Sequence, residues 1–255
     1  MKLAIMQPYF FPYIGYFQVI HAVDKYLLHG GLPYLKKGWV NRNRILGPDG
    51  RPAYVNAEIR ARSSHTKIDD IELVPSRHWK DKFLRGVSYI YRKSPFFDDI
   101  YALIENAVAA DTERLSELNK RCIVSICDFL GIRTTIATTD GSFAPLEERL
   151  SKPETELRLE FPGLRLSVYR RKVVRILEIC RQEGAATFVN AIGGIALYDR
   201  AEFRSNGVEL YFVETQPFTY PQRAPQFVPD LSIIDVLMNC GKAGTGRLLE
   251  NYRLV

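Results

Sequence analysis

Two stretches concentrate side chains that could hold a charged ring. The first, "MQPYFFPYIGYFQVI", begins at Met6 and sets Gln7, Tyr9, Tyr13, Gly15 and Tyr16 around two prolines. Gln7 can both donate and accept hydrogen bonds, and the tyrosines offer ring faces and hydroxyls. Gly15 stands where a following helix would leave backbone N–H groups free for a phosphate or carboxylate. The second stretch, "KKGWVNRNRI", brings Lys36, Lys37, Arg42 and Arg44 within nine residues, with Trp39, Asn41 and Asn43 among them. Guanidinium forks match phosphate oxygens, and an indole stacks on a base or a sugar ring. In a strand, Asn41 and Asn43 share one face while Arg42 and Arg44 share the other. Each stretch also has a plainer reading. The first is a stiffened turn whose rings fill the core, and the second is a solvated basic edge strand.

Two further stretches are weaker. "NAIGGIALYD" places Gly193 and Gly194 between a strand and a helix, where backbone amides can approach an anion, but it lacks the spacing of the known glycine-rich phosphate loops. "TQPFTYPQRAPQFVPDLSIIDVLMNCG" carries Tyr220, Gln222 and Asp230 in a proline-stiffened segment. Its Asp235 lies in an apolar helix, where an acid needs a partner; a helix cap or a structural ion pair is the expected use. The four histidines show no metal-ligand spacing, so no metal site is expected. Cys122, Cys127, Cys180 and Cys240 form no C-x-x-C pair and read as buried free thiols in a reducing compartment. No Ser-His-Asp motif or carboxylate dyad can be read out, and no cofactor is named by any motif.

The elements that must position these residues follow from patterning. "KLAIMQ" and "KYLLHG" are apolar runs of strand length on either side of a helical pattern, giving a strand–loop–helix–strand unit. The aromatic loop then lies at the carboxyl end of the first strand, where open α/β sheets bind ligands. "GPDGRP" is a turn signal, and the runs flanking it read as strands or as a hairpin around it. Residues 77–131 read as a helical insertion of three helices, the third capped by Asp111 and stopped by Gly131. Residues 141–172 contain three prolines and read as an irregular loop or small insertion. Helix and strand patterns then alternate to the end, with a capping pair at Ser232 and Asp235. The fold class expected is α/β, a Rossmann-like and mostly parallel sheet in one domain over residues 1–255.

The bulk numbers fit a chain able to build a sizeable core: 255 residues, 46% of them hydrophobic, with 25% charged. The net charge of +6 and a pI near 9.1 favour anionic partners, nucleotides and sugar phosphates among them. No Lys/Arg run is long enough for a nucleic-acid arm, so nucleic acid is not the expected partner. The chain start lacks a signal-peptide pattern, and no apolar run approaches the roughly 18 residues of a membrane span, so a cytoplasmic protein is expected.

Taken together, "MQPYFFPYIGYFQVI", "KKGWVNRNRI", "SELNKRCIVSICDFLGI" and "YPQ…FVPDLSIIDVLMNCG" resemble the WbqC-like family of bacteria over nearly the whole chain, from the first strand to about Gly241. That family is associated with O-antigen and other surface-polysaccharide gene clusters. The resemblance therefore implies a transferase of lipopolysaccharide-type biosynthesis, with acyl or aminoacyl transfer to an amino sugar or nucleotide sugar as the chemistry. The implied partners are a small anionic substrate, such as a nucleotide sugar or sugar phosphate, and an acyl or aminoacyl donor. In that reading Gln7, Tyr9 and Tyr16 line the site with Lys37, Trp39, Asn41 and Arg42, while Tyr220 and Gln222 close a far wall. The family pattern implies an acidic pair just after the second strand, where this chain has His29, Gly30, Gly31 and Leu32; His29 is the candidate catalytic base. The opening unit also resembles class I nucleotidyltransferases and pantothenate-synthetase-like ligases, which use His-x-Gly-His on ATP. Here that stretch reads Tyr13-Ile14-Gly15-Tyr16. An ATP-dependent ligase and a non-catalytic binding module are the alternatives.

Overall fold

Short β-branched and leucine-rich runs alternate with amphipathic helices, and the chain folds accordingly. The computed structural model describes every residue except 62, 64, 76, 110 and 140. Strand β1 (Lys2–Met6) passes through the aromatic loop into helix α1 (Ile14–His21) and strand β2 (Lys25–Leu28). An antiparallel hairpin follows, β3 (Arg42–Leu46) and β4 (Pro52–Asn56), turning at Gly47–Gly50. Helices α2 (Arg77–Tyr91), α3 (Phe97–Val108) and α4 (Leu115–Leu130) lead to strand β5 (Thr135–Thr138). Gly131 ends α4 in the left-handed conformation (φ 76°), as its position suggests. The N-cap is Arg114 rather than Asp111, and the Thr112 hydroxyl accepts the Arg114 N–H at 3.2 Å. Helices α5 (Ala144–Leu150), α6 (Leu157–Glu160) and α7 (Arg171–Gln182) precede strand β6 (Thr187–Ala191). Helix α8 (Arg200–Ser205), strand β7 (Glu209–Thr215), helix α9 (Ile233–Leu249) and strand β8 (Tyr252–Leu254) complete the chain.

The main sheet has the order β5-β2-β1-β6-β7-β8. Every pairing in it is parallel except β7 with β8. This is the α/β, Rossmann-like and mostly parallel architecture expected from the patterning. From β1 the chain moves outward to β2 on one side, and from β6 it moves outward to β7 on the other. The boundary between β1 and β6 is therefore the topological switch point, and the crevice outside its carboxyl ends is where such sheets bind ligands.

Alternate strand residues feed two cores. Ala4, Tyr26, Leu28 and Val189 join α1, α2, α3, α4 and α9 on one face. Leu3, Ile5, Leu27 and Phe188 join α5, α6, α7 and α8 on the other. The helices of residues 77–131 share the first core, and Phe83 of α2 stacks on Phe11 of the aromatic loop with centroids 5.7 Å apart. Residues 141–172, expected to be irregular, are largely helical. Phe143, Leu146, Leu150, Leu157 and Phe161 are buried and cover the second face of the sheet.

Candidate functional site

The aromatic loop divides its labour. Phe10 and Phe11 are fully buried and anchor it, Phe11 at a positive φ of 40°. Burial of the two rings leaves their carbonyls short of water, and the protein supplies donors. Asn43 Nδ2 donates to the carbonyls of Phe10 (3.0 Å) and Phe11 (2.9 Å). Asn119 Nδ2 donates to Pro8 (2.9 Å) and Val40 (2.7 Å). The start of α9 is sewn to the same loop. The Ser232 hydroxyl donates to the Phe11 carbonyl at 2.7 Å, and the Ile233 N–H donates to Pro12 at 2.9 Å. Ser232 also donates its N–H to the Arg44 carbonyl at 2.7 Å, so loop, hairpin and helix meet at one seam.

Above that seam lies a cavity of about 380 Å³ lined by Tyr9, Pro12, Tyr13, Trp39, Asn43, Arg44, Ile192, Gly193 and Asp230. The loops after β1 and β6 both contribute, which places it at the switch point. The Arg44 guanidinium lies over the Trp39 ring (5.4 Å to the centroid) and donates from Nη2 to the Asp230 carbonyl at 3.2 Å. Its Nε is buried with no hydrogen-bond partner among the described residues. Burial raises the pKa of Tyr9. Burial raises that of Tyr13 too, with the charge of Asp230 and the neighbouring Tyr9 adding to the effect. Both phenols are therefore neutral donors at physiological pH. Rings, a guanidinium, two hydroxyls, a glycine backbone and one carboxylate together suit a polar ring carrying an anionic group.

The other residues named from the sequence are placed differently. Lys37 is exposed (φ 66°), and its carbonyl accepts from Arg42 Nη2 at 2.6 Å. Arg42 lies over the Tyr54 ring at 4.5 Å, so the arginine on the cavity wall is Arg44. Asn41 bridges the Tyr34 hydroxyl and the Ala57 carbonyl. Tyr16 is fully buried and donates to the Gln7 carbonyl at 2.9 Å. Gly15 permits a close approach: a Cβ there would lie 2.4 Å from the Tyr13 ring, so glycine lets that ring fold back over the helix start. Gly193 lines the cavity, while Gly194 is buried. Tyr220 and Gln222 do not line this cavity. They bind Asp235, which is fully buried and accepts from the hydroxyls of Tyr91 and Tyr220 (2.7 Å each) and from Gln222 Nε2 (2.8 Å). Among the described residues Asp235 is thus neither a cap nor half of an ion pair, and Ser232 caps α9 through its side chain. Asp230 and Arg44 are cavity residues that the sequence places in candidate stretches without assigning them to the site. Strand alternation grouped Arg44 with Arg42 but could not say which of them faces a ligand.

The family model described as the WbqC-like protein family matches residues 7–246. The chain belongs to that family. A search of curated proteins finds an uncharacterized protein of Mycobacterium tuberculosis, 26% identical over 243 residues and covering 94% of each chain. No solved structure matches.

Two glycines follow β2 in this WbqC-like chain, and a carboxylate from another turn packs against the first of them. A Cβ on Gly30 would lie 1.8 Å from Oδ1 of Asp69, a carboxylate carried in by the 3-10 turn at Ile68–Asp70. Beside it, His29 is buried and its Nδ1 is 2.7 Å from the Thr139 hydroxyl. Met6, Leu28 and Thr138 are aligned in the sheet, so Gln7, His29 and Thr139 follow side by side at the carboxyl edge. Burial, with the Arg175 guanidinium nearby, lowers the His29 pKa to about 4, while Glu147 opposes that effect. Nε2 has no partner among the described residues. By strand spacing His29 stands about 10 Å from the β6 edge of the cavity, two strands away. Among the described residues no group of three or more His, Cys, Asp or Glu side chains could hold a metal ion. None of the helices is long and apolar enough, over those residues, to cross a membrane.

Proposed function

We propose that this WbqC-like protein is a transferase of bacterial surface-polysaccharide biosynthesis that adds an acyl or aminoacyl group to an amino sugar or nucleotide-activated sugar. The observation that supports this reading is the convergence of Tyr9, Tyr13, Trp39, Arg44 and Asp230 on one cavity at the switch point of a parallel sheet. Trp39 offers a flat face for a sugar or base, and the Arg44 guanidinium on the cavity wall offers positive charge for a phosphate. Asp230 presents a carboxylate to a sugar amine. In the transfer the sugar nitrogen bonds to the acyl carbon, the donor's leaving group departs with the bonding pair, and Asp230 accepts the proton that the amine sheds.

Calorimetric titration with UDP-glucosamine tests the reading. Binding should weaken about tenfold or more in Arg44→Gln and in Trp39→Ala, consistent with the loss of a charge-assisted hydrogen bond or a stacking face. It should be unchanged in Lys37→Gln, whose exposed side chain does not line the cavity. No binding of UDP-glucosamine, UDP-galactosamine or their sugar 1-phosphates would remove the proposal.

A further inference from the structure

A second cavity, of about 240 Å³, opens on the far side of Tyr13 and Asp230, and those two residues line both cavities. Its wall is the proline-rich strap between β7 and α9, closed by the first turns of α1 and α9. Three polar groups on the strap side of this wall are already engaged within the protein. The Thr215 hydroxyl donates to Gln18 Oε1 at 2.5 Å, the Gln216 amide donates to the Glu214 carbonyl at 3.2 Å, and the Tyr220 hydroxyl donates to Asp235. The rest of the strap face is apolar. Phe218 stacks on Tyr220 (6.2 Å, 18°), Phe227 meets Tyr220 edge-on (5.1 Å, 86°), and Val236 lies behind them. The Tyr13 hydroxyl and the Asp230 carboxylate, by contrast, make no side-chain hydrogen bond among the described residues, and they stand on the partition.

We propose that this strap cavity is the donor subsite and holds the apolar acyl group of the second substrate, with the acyl carbon delivered to the Tyr13–Asp230 partition. The identity of the acceptor rests on the reading of the first cavity; the apolar character of the donor rests on the strap alone. Away from the Tyr13–Asp230 partition, a polar aminoacyl side chain would meet the rings of Phe218 and Phe227 and the Val236 side chain, so the strap face favours an aliphatic or aromatic acyl group over a charged one. The rigid seam at Ser232 fixes the partition against both cavities, so the two bound groups meet at a constant place.

Titration with hexanoyl-pantetheine and acetyl-pantetheine, on the full chain, tests the subsite. Each buried methylene contributes about fourfold in affinity, so hexanoyl-pantetheine should bind tighter by tenfold or more. That advantage should vanish in Val236→Phe, which fills the cavity, and in Phe218→Ala, which strips its wall. The second variant alters a half-buried strap residue and is read alongside the first in case the larger ring disturbs folding. UDP-glucosamine affinity should stay within about twofold in Phe218→Ala. Equal affinity for the two acyl probes, or an advantage that survives both variants, would overturn the inference. Hexanoyl-pantetheine binding without UDP-glucosamine binding would support this subsite while removing the sugar reading, so the two proposals fail separately.

Discussion

Replacing Asp235 by alanine should destabilise the protein by about 2–4 kcal/mol. The carboxylate accepts three hydrogen bonds, and the donors differ in what they lose. The Tyr91 hydroxyl is buried and would keep only the Leu46 N–H, which it accepts at 3.2 Å; its own proton would have no acceptor. A stranded buried donor costs about 1–3 kcal/mol. Tyr220 and Gln222 are half-buried, and Gln222 Nε2 retains the Val228 carbonyl, so each loses less. Some of the loss is recovered because a desolvated acid is removed: burial raises the Asp235 pKa, only partly opposed by its three hydrogen-bond donors. For a chain of this length the net should lower the melting temperature by about 5–15 °C. The pH dependence has a definite sign. Because the folded pKa lies above the unfolded one, the native state binds more protons in the window between them. That contribution to stability is full below the unfolded value and is lost as pH rises through the folded value. Wild type should therefore gain relative to Asp235→Asn as pH falls from neutrality toward the ordinary aspartate range. Thermal melts from pH 4 to 7 with Tyr91→Phe, Asp235→Ala and the double variant complete the test, and the double variant should cost less than the sum of the singles. An alanine variant melting within about 2 °C of wild type would refute the assignment of Asp235 as the pin of the strap.

Two other perturbations probe the frame of the site. His29 is held neutral, with a folded pKa of about 4 against an ordinary 6.5, so its contribution is full above about pH 6.5 and is lost as pH falls toward 4. The window is worth about 3 kcal/mol, and His29→Gln should flatten that part of the urea-denaturation profile; an unchanged slope would count against a buried neutral imidazole. Asn43→Ala leaves the carbonyls of Phe10 and Phe11 without their donor, at a cost of about 2–4 kcal/mol in chemical denaturation. Asn43→Asp, which faces two acceptors with a third, should be worse than alanine, and a milder effect would show that the amide is not what holds the loop.

The fold was legible where one physical signal dominated. The strands β1, β2, β6 and β7 carry short apolar segments separated by helical patterns, and the "GPDGRP" turn sits between two strand-like runs, so class and mostly parallel pairing followed directly. Residues 141–172 were not legible because α5 and α6 are seven and four residues long. A helix of one or two turns shows too little periodicity, and Pro145, Pro153 and Pro162 read as breakers although Leu146, Leu150 and Leu157 are core residues. Strand β8 has three residues, below the length at which alternation can be seen.

The site was legible in outline for a different reason. The position of the aromatic loop after β1 follows from topology, and topology is encoded in the order of elements. Which side chains of that loop face a ligand is decided by tertiary hydrogen bonds, and those leave no local mark. Asn43 and Asn41 look alike in sequence, yet Asn43 reaches two loop carbonyls across 33 and 32 residues while Asn41 bridges Tyr34 and the Ala57 carbonyl. Tyr220 and Gln222 look like a ligand wall because polar residues in a proline-rich segment have no local partner. Their partner is a single aspartate in the next helix, and its demand for donors turns them away from the solvent side. The same demand explains why the strap cavity is apolar: Asp235 draws the strap's polar groups inward, and Phe218 and Phe227 are left to form its face.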